Sequence, residues 1–175
     1  MEKRSLLRAL DGKYIPAGPS GAPTRGRPEI LPTGRNFYSL DSRALPTPTA
    51  WRIGWASATA LLERFVMDEG CWPRSLALSA WGTANMRTGG DDIAQALALL
   101  GVQPVWDSHS RRVTGFDVMP LSVLDRPRVD VTLRCSGFFR DAFPAQIQLL
   151  DRAMRAVAGL DEPEDMNPLA ASVTA

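Results

Sequence analysis

The chain has 175 residues, of which 45% are hydrophobic and 22% charged, with twenty basic residues against nineteen acidic and a formal net charge of +1. That is enough chain for one domain of ordinary size with a real core, in the balance typical of a globular protein. Near-neutrality argues against a whole-surface grip on nucleic acid. The lack of an apolar run of about 18 residues, or of an amino-terminal apolar stretch, predicts neither membrane span nor export signal, and so a cytoplasmic protein.

From Gly12 to Pro48 the sequence is dense in Gly and Pro, with Pro16, Pro19, Pro23, Pro28, Pro32, Pro46 and Pro48. Proline fixes φ and removes a donor, so this stretch is neither helix interior nor central strand. Ile30, Leu31, Phe37, Tyr38 and Leu40 are apolar residues that a free linker does not need, which predicts an ordered loop region over 1–46. Thr47-Pro48 is a helix start, a capping residue followed by proline in the first turn. Trp51, Trp55, Ala58, Leu62 and Phe65 follow on one face, and Gly70 with Pro73 ends the helix.

Leu76 to Trp81 is a short apolar run suited to a buried strand. A polar loop is expected from Gly82 to Gly90. Asp91-Asp92 then opens a helix whose apolar face is Ile93, Ala96, Leu97 and Leu100, and Gly101 is its stop. Further strands are expected at Gln103–Trp106, Gly115–Pro120 and Arg128–Arg134. A last helix begins around Asp141 to Pro144, carries Ile147, Leu150, Met154 and Val157, and stops at Gly159. Residues 161–175 read as a frayed polar tail.

Strand, loop, helix, strand is the rhythm of an α/β fold, a mostly parallel sheet flanked by helices in the Rossmann/flavodoxin manner, here over 47–160. Ligands in such sheets bind at the carboxyl ends of the strands. The two loops to inspect are therefore Trp81–Asp92 and Cys135–Asp141. They offer Trp81, Thr83, Asn85, Arg87, Thr88, Ser136, Phe138 and Arg140 as substrate-facing residues, with Asn85 and Phe138 overlooking one cleft.

The individual motifs are ambiguous. Gly21-Ala22-Pro23-Thr24-Arg25-Gly26-Arg27-Pro28 has the spacing of a Walker A loop but carries Arg27 for the lysine and Pro28 for the hydroxyl residue, so the chain is not expected to hydrolyse ATP. Cys71 and Cys135 are isolated and make neither a disulfide framework nor a thiolate metal site. His109, the only histidine, reads either as an exposed loop residue or, with Asp107, as a ligand or proton relay. Asp91 and Asp92 read first as helix-start acids, favoured there by the macrodipole and as caps, with oxygen ligands to a divalent ion as the alternative. Arg140-Asp141 is either a local ion pair or a donor to a ligand. Eighteen of the twenty basic residues are arginine, which reflects base composition or sites for carboxylates held bidentately.

Four segments together resemble a known family. They are Gly18–Pro28, Leu31–Ser39, Trp81-Gly82-Thr83-Ala84-Asn85-Met86-Arg87-Thr88-Gly89-Gly90-Asp91-Asp92 running on to Leu97, and Ser136-Gly137-Phe138-Phe139-Arg140-Asp141-Ala142-Phe143-Pro144-Ala145-Gln146. The family is that of the large subunits of the multi-subunit metal chelatases, which unites the CobN-type cobaltochelatase subunit and the magnesium chelatase H subunit. The resemblance covers about Leu6 to Pro163. Asn36-Phe37-Tyr38, where the magnesium branch tends to have Asn-Ile-His, and the loop Gly89-Gly90-Asp91-Asp92 favour the cobalt branch.

That resemblance implies a ligase reaction in which Co2+, as substrate ion, enters the corrin precursor hydrogenobyrinic acid a,c-diamide. It implies AAA+ partner subunits that use ATP and Mg2+, which this chain does not. The family's large subunits are far longer, and a His-Gly-Thr-x-Glu-Trp-like segment expected to bear catalytic acids is missing. The chain then corresponds to a fragment, inactive alone, whose partners include the remainder of the large subunit. Catalytic residues are not assigned, and neither nucleic acid nor membrane is an expected partner. The alternatives are a magnesium chelatase H-type, porphyrin-binding subunit and a non-catalytic scaffold or docking domain.

Overall fold

A computed structural model describes residues 1–18, 21, 23, 30–36 and 40–174, the last without its side chain. It divides into two compact units, Met1–Asp41 and Ser42–Ala175. Most of the Walker-A-like stretch, together with Phe37 and Tyr38, lies outside the described residues.

In the first unit, helix α1 (Glu2–Leu10) precedes a Gly/Pro-rich segment that is fixed by its own hydrogen bonds. The Gly18 amide donates to the Arg35 carbonyl at 2.8 Å, and Asn36 Nδ2 donates to the Ile30 carbonyl at 3.1 Å. Gly34, at φ 111°, sits where an added Cβ would be 2.6 Å from the Glu2 Cα, so a side chain is excluded twice over. Helix α1 itself was not foreseen. It leaves Leu6, Leu7 and Leu10 exposed.

The second unit begins with a 3-10 turn (Ser42–Ala44) and helix α2 (Pro48–Glu69). The ends of α2 are those the sequence predicts. Thr47 Oγ1 accepts from the Ala50 amide at 3.1 Å, and Gly70 closes the helix in the left-handed conformation with its amide on the Val66 carbonyl. Ala58 and Leu62 of the predicted stripe are buried, whereas Trp51, Trp55 and Phe65 are half-buried. The stripe also includes Ala50 and Gly54, both buried.

Strand β1 (Ser75–Ala80) leads into helices α3 (Gly82–Thr88) and α4 (Asp91–Leu100). Seven residues of α4 are buried, namely Ile93, Ala94 and Ala96 to Leu100, so its buried surface extends well beyond the expected face. It packs against α2, α3, α7, β1, β2 and β4, which makes it the centre of the core.

Strands β2 (Val102–Trp106) and β3 (Val113–Val118) form an antiparallel pair joined by a tight turn. A single turn of helix, α5 (Leu121–Leu124), precedes β4 (Asp130–Cys135), and α6 (Gly137–Ala142), α7 (Pro144–Ala158) and α8 (Pro168–Thr174) complete the chain.

The fold is α/β with a parallel sheet flanked by helices, and the parallel ladder is β1 with β4, in register from Ser75↔Asp130 to Ala80↔Cys135. The middle strands do not extend that layer. Asp107 to Arg112 is too short for the crossover that a parallel connection needs, so β2 and β3 can only pair antiparallel.

Two guanidinium groups cap the carboxyl end of α4, where the last carbonyls lack intrahelical partners. Arg126 donates to the Ala98 and Leu99 carbonyls at 2.6 and 3.3 Å and lies over the Trp55 ring. Burial, with the neighbouring Arg128 charge, pushes Arg126 down to about 10, and it stays charged at neutral pH. Arg128, 1% exposed, donates to the carbonyls of Leu100, Gly101 and Met119 and forms a two-pronged pair with Glu162 at 2.7 and 2.8 Å.

The segment from Glu162 to Asn167 is accordingly held rather than frayed. Glu162 completes a buried charge pair. Asn167, fully buried, donates to the Val157 carbonyl and to Glu162, both at 2.9 Å.

Candidate functional site

The parallel register sets the site. Ala80 and Cys135 are the last paired residues of β1 and β4, so the chain segments leaving both strands emerge side by side at one end of the ladder. The two expected polar loops are there, but each is largely a short helix. Trp81 precedes α3 and Ser136 caps α6, its Oγ accepting from the Phe139 amide at 3.2 Å.

The two segments are in direct contact. The Ser136 amide donates to the Ala80 carbonyl at 3.1 Å, and the Gly82 amide approaches Ser136 Oγ at 3.4 Å. The Phe138 ring lies on Gly82 so closely that an added Cβ would be 2.4 Å from Cδ1. Only glycine leaves that ring its seat.

Two large aromatic side chains stand open at this end, Trp81 (60% exposed) and Phe138 (48%). Behind them the wall is packed. Phe143 meets Phe138 edge to face at 6.3 Å and stacks on Phe139 at 5.2 Å, and both Phe139 and Phe143 are buried.

The remaining predicted residues divide into surface and support. Thr83 and Arg87 are exposed on α3, and Arg140 is exposed on α6, its Nε 2.9 Å from Asp141 Oδ1 in a local ion pair. Asn85 points inward instead of overlooking the cleft. It is fully buried, with Nδ2 donating to the Trp81 carbonyl at 2.9 Å and to Asp92 Oδ2 at 3.0 Å, while its Oδ1 has no partner among the described residues. Thr88 is half-buried and donates to the Ala84 carbonyl and to Asp91 Oδ1.

Asp91 and Asp92 therefore spend their oxygens at the start of α4, Asp91 Oδ1 also accepting the Asp92 amide at 3.0 Å. Among the described residues, no three or more of His, Cys, Asp and Glu gather where they could hold a metal ion. His109 is exposed in the β2–β3 turn, with Nδ1 3.0 Å from Ser108 Oγ.

Burial of Asp92 is the main force raising its carboxyl above the ordinary Asp value. The Asp91 charge adds to it, and hydrogen bonds from Asn85 and the Trp81 backbone oppose it. A raised value means that the folded state holds the proton more tightly than the unfolded one. The contribution of Asp92 is thus favourable below the ordinary Asp range and is lost as pH rises through the folded value. Asp92→Asn should remove that component, so thermal unfolding between pH 3 and 6 should show wild type losing ground against the variant as pH rises. A constant difference would contradict the burial account.

Sequence reasoning missed the two capping arginines of α4 and the aromatic wall behind Phe138. Arg126 and Arg128 act on carbonyls 27 or 28 positions earlier in the chain, for which no local pattern exists. The Phe138-Phe139 pair before Phe143 was a readable sign of packing.

A family profile described as CobN/Magnesium Chelatase spans residues 1–175. The chain is 67% identical over 168 residues to the aerobic cobaltochelatase subunit CobN of Pseudomonas aeruginosa, covering 96% of this chain and 14% of that protein. It is 47% identical over 167 residues to the chloroplastic magnesium-chelatase subunit ChlH of japonica rice, covering 95% and 12%. Among solved structures, the catalytic subunit of cobaltochelatase from Mycobacterium tuberculosis superposes with a TM-score of 0.80 at 57% identity, over 99% of this chain and 15% of that one. The chain thus spans about one seventh of the length of the relatives it resembles. No helix among the described residues is long and apolar enough to cross a membrane.

Proposed function

The chain belongs to the CobN/magnesium chelatase family, and on that premise we propose that it is a portion of the large, corrin-binding subunit of a cobaltochelatase. The greater identity to the Pseudomonas cobaltochelatase subunit than to the rice magnesium-chelatase subunit supports cobalt as the metal. In this reading the complex works in the cytoplasm and inserts Co2+ into hydrogenobyrinic acid a,c-diamide. ATP and Mg2+ are used by separate AAA+ subunits, and this chain acts only together with the remainder of the large subunit.

Metal insertion requires the ring nitrogens to release their protons and the ion to shed its water. A site that seats and orients the macrocycle lowers the entropic cost of bringing ring and ion together. The β1/β4 end offers such a seat. Trp81 and Phe138 present apolar faces to the flat ring, while Thr83, Arg87 and Arg140 address peripheral carboxylates and amides. Asn85, Thr88 and Ser136 hold those groups in place, and no residue of the chain is assigned a proton-transfer role.

The test is a titration of the folded chain with the corrin diamide, followed by its visible absorption band. A saturable shift is expected, with affinity reduced at least tenfold in Trp81→Ala/Phe138→Ala, about 1.4 kcal/mol. No shift at high micromolar protein, or an unchanged affinity in the double variant, would overturn this seat.

One observation favours a second reading, a docking module for the rest of the large subunit. Helix α1 presents Leu6, Leu7 and Leu10 to solvent, and a helix with an open apolar stripe is suited to burial against another surface. Pull-down by the remainder of the subunit, without ring binding, would select it.

A further inference from the structure

Strand β1 leaves one side of its backbone unused. The Asp130 amide donates to the Arg74 carbonyl at 2.9 Å and the Ser136 amide to the Ala80 carbonyl at 3.1 Å, which sets the phase of the ladder at both ends. In a parallel pair each strand turns the N–H and C=O of alternate residues toward its neighbour. With the register unbroken from Ser75↔Asp130 to Ala80↔Cys135, those residues of β1 are Leu76, Leu78 and Ala80. Ser75, Ala77 and Ser79 aim their backbone groups the other way. All three are exposed, and among the described residues no further strand pairs with them.

The outer side of β4 is different. It starts against protein, with the Val129 amide donating to the Leu99 carbonyl at 3.1 Å, and Val131 is 4% exposed. The open edge of this sheet is therefore β1.

Nothing guards that edge. Ser75-Leu76-Ala77-Leu78-Ser79-Ala80 holds no charge, no proline and no bulge, the devices that keep edge strands from pairing. The layer is also incomplete. Parallel sheets are ordinarily covered on both faces, and two strands alone make a marginal unit. Here Leu76, Leu78, Ala80 and Val131 are wholly or partly buried on one face, while Ser75, Ala77, Ser79 and Thr132 are exposed on the other.

We propose that β1 is an interior strand of a longer sheet in the complete large subunit, its outer edge at Ser75, Ala77 and Ser79 taking an extended segment from the remainder of that subunit. The occupant is extended backbone, because another strand offers donors and acceptors at the spacing of alternate residues. The remainder of the subunit is the fitting source. The chain spans only 14% of the Pseudomonas relative, and a segment of the same polypeptide reaches the edge at high effective concentration. The proposal rests on the chain being a portion of a chelatase large subunit, and it makes no use of the Trp81 and Phe138 seat.

Hydrogen exchange resolved to single amides tests it on two proteins. One is the 175-residue chain, and the other is the full-length Pseudomonas subunit carrying this chain in place of its matching segment. Leu76, Leu78 and Ala80 should exchange slowly in both. Ser75, Ala77 and Ser79 should exchange freely in the short chain and roughly tenfold or more slower in the long one. Equal rates for these three in both proteins would overturn the proposal. So would slowing in the short chain that grows with its concentration, since a second copy then fills the edge. Ala77→Pro removes an outward donor and no ladder bond. It should leave the short chain folded and return Ser75 and Ser79 of the long one to fast exchange, whereas retained protection there would mean that no strand binds this edge. Cobalt insertion by the long protein with its partner subunits reports the family assignment separately. Insertion with open Ser75, Ala77 and Ser79 amides defeats the edge alone, and protection without insertion defeats the metal assignment alone.

Discussion

Arg128→Met should be the most damaging single change in the chain, lowering unfolding free energy by about 3–5 kcal/mol, the usual cost of breaking a buried charge pair by removing one partner. The side chain is 1% exposed and its bonds reach Glu162 and the carbonyls of Leu100, Gly101 and Met119. Methionine is of similar size but leaves Glu162 with an unmatched charge and takes a donor from the Leu100 and Met119 carbonyls, whereas Gly101 keeps the Met119 amide. Gly101 fits the same arrangement, since a Cβ there would be 2.6 Å from Arg128 Nη1. Urea unfolding measures the loss. Hydrogen exchange should also locate it, with amides of residues 160–174 losing protection first. A variant within about 1 kcal/mol of wild type, a common size for surface changes and net hydrogen bonds, would refute the role of the pair.

Gly54→Leu should be nearly as severe, because α2 and α4 meet at Gly54 with no room for a side chain. An added Cβ would be 2.6 Å from the Ala94 Cβ and 2.7 Å from the Gln95 amide nitrogen, and the latter is backbone that cannot swing aside. Overpacking a close-packed core costs roughly 1–3 kcal/mol and occasionally more, and a leucine here should exceed ~3 kcal/mol. Gly54→Ala sets two effects against each other. Alanine gains about 0.8–1.0 kcal/mol of helix propensity, yet the clash should outweigh it and leave the variant ~1 kcal/mol less stable. Adding Ala94→Gly should recover part of that loss, since it removes the nearer of the two obstructions. Thermal unfolding of the three variants decides the matter. A stabilised Gly54→Ala would mean that the helices part at little cost.

The elements legible in the sequence were those whose signals are local. Thr47-Pro48 and Gly70 bracket α2, and Asp91-Asp92 and Gly101 bracket α4, because caps act through backbone groups within a turn. Strands β1 and β4 announced themselves as apolar or alternating runs, and their side-by-side ends followed from the α/β rhythm. Helices α3 and α6 were hidden. Gly82 to Thr88 and Gly137 to Ala142 are too short for a periodic stripe to declare itself, and they are held by contacts between Phe138, Gly82 and Ser136 that are 54 or more positions apart.

The β2–β3 hairpin was readable in principle, since Asp107 two or three residues before the amides it accepts from is a turn signature. Within the candidate site the surface groups Trp81, Thr83, Arg87, Phe138 and Arg140 were legible as residue types. The inward turn of Asn85 was not, because it depends on Asp92 arriving from the next helix.

The single parallel ladder also constrains how the molecule assembles. Between Ser75 and Asp130 lie α3, α4, the hairpin and α5, and every rung joins residues equally far apart in the chain. Closing so long a segment costs entropy before any ladder bond offsets it. The end of the molecule bearing Trp81 and Phe138 thus depends on a long-range closure and not on local propensity.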